Sequence, residues 1–184
     1  MTSAADDRII VLLRHAEAQD PVLGAADIER ELTSAGSLQA EDVGAWLHDL
    51  GIGFDTVLCS SSTRTQQTAE GVWSGGCAET DVHVDSRLYN ASAQAILDVI
   101  RETDEDDDVI LVIGHAPGLP TLASALADGE GSAEAHDGMA RGFPPAGLAV
   151  LRYSGHWRDL SPDAAVLERF HVGVARERGG GTEG

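Results

Sequence analysis

Lysine is absent from this chain: all 12 basic side chains among its 184 residues are arginine. Without a lysine amine there is no Schiff base with a carbonyl substrate or pyridoxal phosphate. The lysine-dependent phosphate loop of P-loop NTPases is excluded as well. Any anion site must be built from arginine, histidine and backbone N–H groups. Basic charge is scarce overall, since 31 acidic residues leave a formal net charge of −19. Nucleic-acid binding needs a basic face and is disfavoured. Cysteine is limited to Cys59 and Cys77, which make neither a disulfide framework nor a zinc pattern. Long apolar runs are also missing. Ile9 to Leu13 is far too short for a signal-peptide core or a membrane span, and acids precede it where a signal peptide is basic. The reading is a cytoplasmic protein with no membrane partner.

What is present is a globular composition, 42% hydrophobic and 23% charged. It suits one domain with a sizeable core, placed at 1–178, with the Gly-rich stretch 179–184 as a disordered tail. Buried strands are predicted at Arg8–Leu13, Thr56–Cys59 and Val109–Ile113, each an unbroken or nearly unbroken apolar run. Val82–Val84 reads as an edge strand. Leu148–Tyr153 reads as a late strand, with Val166–Val172 as its hairpin partner. Helices are predicted from Thr33 or Ser34 to Leu50, from about Thr65 to Trp73, over Ala93–Thr103, and from Pro117 or Gly118 to about Ala127. Residues 128–142, Gly-rich and polar, read as a mobile loop. Asp104–Asp108 reads as a solvated acidic turn rather than a calcium loop. Trp46 and Trp73 are assigned to the core, and Trp157 to a cover over the hairpin turn.

Strands alternating with helices imply a three-layer α/β/α sandwich with a mainly parallel central sheet. Ligands in such sheets bind beyond the carboxyl ends of the strands. Those ends carry Arg14-His15, Cys59 with Arg64 shortly after, and Gly114-His115. A lone histidine at a strand end is usually structural, but two strands ending this way on one rim point to a site. Arg64 has a bland alternative as an exposed arginine in the first turn of a helix. A cation is poorly placed there unless an anion binds beside it. Two histidines among several arginines suit phosphoryl transfer without a metal. A neutral imidazole attacks phosphorus, and guanidiniums neutralise the equatorial oxygens.

The segments RHAE at 14–17, SSSTRTQQTAE at 60–70 and VIGHAPG at 112–118 resemble the three signatures of the histidine phosphatase superfamily, which has the phosphoglycerate mutase-like fold. FPPAGLAVLRY at 143–153 fits the late strand of that pattern. The short chain, the Arg30-Glu31-Leu32-Thr33 segment and the lack of a large inserted cap resemble the SixA-type phosphohistidine phosphatase branch. The resemblance implies that His15 is the nucleophile, that Arg14 and Arg64 clamp the phosphoryl oxygens, and that His115 is the second histidine of the pocket. Arg30 matches an arginine that reaches the phosphate from the first loop; its alternative is a surface ion pair with Glu29 or Glu31.

Ala16 stands where the family usually has glycine, and Ser61 where proline is common. Many members also carry a glutamate as general acid, and the corresponding stretch, Arg87-Leu88-Tyr89-Asn90-Ala91, has no carboxylate. Either Glu17 donates the proton or the leaving group needs little help, as a protonated phosphohistidine would not. The implied partner is a phosphohistidine-bearing protein or a small phosphorylated metabolite, with no cofactor and no metal. The alternatives are a phosphomonoesterase of the same superfamily and a non-catalytic phosphate- or phosphopeptide-binding module. A cysteine-dependent phosphatase built on Cys59 and Arg64 is disfavoured, because only four residues separate them and the loop has no glycine.

Overall fold

The computed structural model describes residues 7–176, so the tail at 179–184 lies outside the described residues. Among the described residues seven strands form one sheet. They are β1 (Asp7–Arg14), β2 (Thr56–Ser60), β3 (Val82–Asp85), β4 (Val109–Gly114), β5 (Ala127–Gly131), β6 (Gly147–Ser154) and β7 (Ala165–Val172). Their order is β3-β2-β4-β1-β6-β7-β5. The β3-β2-β4-β1 half is parallel throughout, and β6 runs antiparallel to both β1 and β7.

Among the described residues five α-helices cover the sheet: α1 (Ser34–Asp49), α2 (Thr63–Ser74), α3 (Ala93–Ile100), α4 (Gly118–Leu126) and α5 (Ala133–Arg141). The alternation of side chains along each strand divides the core in two. Ile10, Leu12, Ile110 and Val112 pack with Ile96, Ile100, Leu119 and Leu122 of α3 and α4. Val11, Leu13, Leu111 and Ile113 pack with Val43, Leu47 and Val72 of α1 and α2. Both faces of β1 and β4 are covered, and this is why those strands read as unbroken apolar runs.

Helix starts follow local chemistry. The side chains of Thr33, Ser62, Ser92 and Ser132 accept from the N–H groups of Gly36, Thr65, Ala95 and Ala135, capping α1, α2, α3 and α5. The helix predicted over Ala93–Thr103 ends at Ile100 and continues as turn.

Residues 128–142 are not a loop. They form most of β5, which pairs parallel with β7 at the sheet edge, and then α5. Trp157 does not cover a turn: it is fully buried, donates from its indole to the Asp107 carbonyl at 2.7 Å, and lies 5.0 Å under the Arg8 guanidinium. Trp46 and Trp73 are only partly buried, and Trp46 stacks on His171 at 4.6 Å. The acidic turn is more than solvated surface. Glu105 accepts from Arg8 at 2.6 Å and from the Trp157 N–H at 3.1 Å. Among the described residues no helix is long and apolar enough to cross a membrane.

Candidate active site

The site follows from strand register. β1 and β4 are parallel neighbours with Arg14 opposite Gly114, so the next residue of each strand, His15 and His115, leaves the sheet at the same level. Their rings lie 5.3 Å apart, tilted by 58°. The His15 N–H donates to the Gly114 carbonyl at 3.0 Å, and the Ala146 N–H donates to the His15 carbonyl at 3.0 Å. Ala146 reaches this position with φ of 60°, in the left-handed region that a non-glycine residue seldom adopts. Ala16, in place of the usual glycine, is fully buried and donates from its N–H to Thr68 Oγ1 at 3.1 Å.

The tautomer of His15 is set by its neighbour. Its Nδ1 lies 2.8 Å from the Ala16 carbonyl oxygen, which only accepts, so Nδ1 carries the proton and Nε2 keeps the free lone pair. Burial pushes the imidazole down to about 4. The bond to Ala16 opposes that fall, and the charges of Arg64, Arg14 and Arg30 add to it. His115 is held lower still, at about 3, by burial and by its His15 and Arg64 neighbours. An Arg64 Nη2 donor sits 3.4 Å from His115 Nδ1, and His115 Nε2 is 2.7 Å from Ser60 Oγ. A guanidinium only donates, so Nδ1 accepts and Nε2–H donates to Ser60.

Arg64 is 2% exposed, which rules out its reading as a surface side chain. It donates to the Asp27 carbonyl at 2.8 Å and to Asp27 Oδ2 at 3.1 Å. Arg14 donates to the Phe143 carbonyl at 2.9 Å. Arg30 pairs neither with Glu29 nor with Glu31. It donates to Gln19 O at 3.0 Å and pairs with Asp27 Oδ1 at 3.1 Å. Arg14, Arg30 and Arg64 each retain a buried Nε–H with no partner. Only Thr103 Oγ1 shares that condition among the buried side-chain N and O atoms of the described residues.

Arg14, His15, Glu17, Arg30, Arg64 and His115 all line one cleft of about 440 Å³. Every residue singled out from the sequence is therefore brought together. Glu17 is exposed at the rim, and its carboxylate accepts from Thr33 Oγ1 at 2.8 Å. Sequence reasoning missed Asp27, Tyr89, Asn90 and Ser60. Asp27 and Asn90 line the cleft. Tyr89 donates a short hydrogen bond to Asp27 Oδ2, packs edge-on to His115 at 5.5 Å, and lies under the Arg64 guanidinium. The carboxylate lacking in 87–91 is thus held against that stretch from the first loop. The pattern Asp-x-x-Arg at 27–30 was the available signal. Cys59 is fully buried and its thiol is pushed up to about 12 by burial, so it offers no thiolate at neutral pH.

A sheet-end cleft holding two neutral imidazoles among three guanidiniums defines a protein that handles phosphoryl groups. The family model of the histidine phosphatase superfamily (branch 1) matches residues 10–94. An uncharacterised protein of Mycobacterium tuberculosis is 35% identical over 165 residues, spanning 87% of this chain and 99% of its own. A solved structure assigned as phosphohistidine phosphatase SixA from Nakamurella multipartitia is 31% identical, with a TM-score of 0.82 over 94% of this chain and 100% of that one. One so assigned from Agrobacterium tumefaciens is 26% identical, with a TM-score of 0.73 over 90% and 98% of the two chains. The chain belongs to the histidine phosphatase superfamily, in its SixA-type group.

Proposed function

We propose that the chain is a phosphohistidine phosphatase that works through a phosphorylated His15, with guanidiniums serving where other phosphatases use metal ions. The observation that carries the reading is the state of His15: neutral, with Nδ1 committed to the Ala16 carbonyl and Nε2 free, at the centre of the arginine cluster. Nε2 attacks phosphorus in line. Arg14, Arg64 and Arg30, which line the cleft, take the equatorial oxygens with their guanidinium N–H groups. The phosphoryl charge raises the proton affinity of His115, which gives up its contact with Arg64, takes a proton from solvent at Nδ1 and donates it in a hydrogen bond to the same group. Water then attacks phospho-His15 and releases phosphate. The electron pair of the breaking P–N bond returns to Nε2.

Glu17 stands at the cleft rim as a carboxylate able to accept a proton from that water. The substrate class follows from the poverty of proton donors. An alkoxide leaves badly without a general acid, whereas a protonated imidazole leaves as a neutral ring. A protein bearing phosphohistidine suits this site better than a small phosphomonoester does. A competition assay offering a phosphohistidine peptide together with alkyl and aryl phosphate esters tests this. The peptide is the preferred substrate if the reading holds, and faster turnover of alkyl esters contradicts it.

A further inference from the structure

We infer that Asp27 is a specificity-determining residue that accepts a hydrogen bond from the protonated leaving group and so selects phosphoramidates of basic nitrogen heterocycles over phosphate esters. The inference deepens the proposed function and rests on it. Asp27 and Glu17 are the two carboxylates lining the cleft; Glu17 holds the Thr33 hydroxyl, whereas Asp27 lies directly against the arginines of the site. Asp27 is one guanidinium away from the phosphoryl site, because the same Arg64 Nη2 touches Asp27 Oδ2 at 3.1 Å and His115 Nδ1 at 3.4 Å.

Its oxygens are not equally occupied. Oδ2 accepts from Arg64 and Tyr89, while Oδ1 has Arg30 at 3.1 Å as its partner. A carboxylate oxygen accepts two bonds, so Oδ1 has an acceptor position left. The side chain is 45% exposed, which leaves it within reach of a group entering the cleft mouth. The bonds from Tyr89 and Arg64 hold the carboxyl below its usual range. At neutral pH it is a fixed acceptor rather than a proton donor.

The chemistry balances without an enzyme acid. Nε2 of His15 forms a bond to phosphorus, and the phosphorus–nitrogen bond of the substrate breaks. Its electron pair moves into a ring whose other nitrogen is already protonated, so the ring departs neutral. Asp27 holds that N–H throughout and remains ionised. An ester sends the electron pair onto oxygen, and a carboxylate beside the developing anion gives no help.

The test is Asp27→Asn assayed on two substrates, a phosphohistidine peptide and p-nitrophenyl phosphate. The substitution should lower kcat/KM on the peptide about 30-fold, the loss of one hydrogen bond to a charged group, and change it less than about fivefold on the ester. Tyr89→Phe, which frees the carboxylate from one tether, should fall in the same direction by less. An equal fall on both substrates, or none on the peptide, overturns the inference by leaving Asp27 only the task of holding Arg30 and Arg64. A wild-type chain that does not accept the peptide overturns the parent reading and this one with it. A wild type that accepts it with an unsplit loss in the variant overturns this one alone.

Discussion

The rings of His15 and His115 lie 5.3 Å apart because two adjacent parallel strands end in register, each placing a histidine one residue past its last ladder pair. Both rings are neutral at neutral pH, each with a single N–H. One is a nucleophile in waiting, and the other becomes a donor only when an anion arrives.

Replacing the nucleophile should remove nearly all turnover. His15→Ala is expected to lower kcat by about a millionfold, the scale seen when a covalent nucleophile is deleted. Cys59→Ser should leave kcat within about threefold, while the new buried hydroxyl costs about 1 kcal/mol in thermal unfolding. A larger effect of the cysteine than of the histidine would reverse the assignment.

Arg64 should not tolerate lysine. Its guanidinium serves Asp27 through two nitrogens and touches His115 through one, a fork that an ammonium does not reproduce. Arg64→Lys and Arg64→Ala are both expected to lower kcat/KM by about a hundredfold or more. Phosphate affinity, read by calorimetry, should fall in parallel.

Stability should weaken on acidification before the carboxylates titrate. Both histidines have folded-state proton affinities below the ordinary value of 6.5, at about 4 and about 3. Between pH 6.5 and about 4 the unfolded chain therefore binds more protons, and stability drops as pH falls through that window. Inorganic phosphate should oppose the drop by raising the affinity of His115 and by binding the folded state. Melting temperature against pH, with and without phosphate, and an imidazole NMR titration are the measurements. Histidines 15 and 115 titrating together near 6.5 without phosphate would contradict this.

Gly36 is there for space. A Cβ on it would lie 2.0 Å from the Glu17 carbonyl, so the first turn of α1 approaches the loop after the nucleophile closely. Gly36→Ala is expected to destabilise by about 1–3 kcal/mol and to lower activity by displacing Glu17 and the Thr33 cap. Gly53→Ala, which meets nothing within 4 Å, is the control in the same unfolding and rate measurements.

The parts of the molecule legible in the sequence were those set by burial on two faces and by strand ends. Arg8–Leu13 and Val109–Ile113 read as buried strands because helices cover both sides of them. The rule that ligands bind beyond parallel strand ends then brought Arg14, His15, Arg64 and His115 together. What stayed hidden depends on backbone pairing or long-range contact. The strand Ala127–Gly131 carries ADGEG, without apolar alternation, and is held at the edge by its parallel pairing with β7. The helix after it buries only Ala135, so no apolar stripe marks it. Asp27 drew no notice in the sequence because its partners, Arg64 and Tyr89, lie 37 and 62 residues away. Trp157 was misplaced because its partners Arg8 and Asp107 are also remote in sequence.

The central claim is a transient phosphate on one imidazole, and rapid-quench mass spectrometry tests it most directly. Mixing the protein with a phosphohistidine peptide and quenching in base within the first turnover should place an acid-labile, base-stable phosphate on His15. The label should be absent from His15→Ala. Phosphate on Cys59 or on a serine, or turnover with no label on His15, would contradict it.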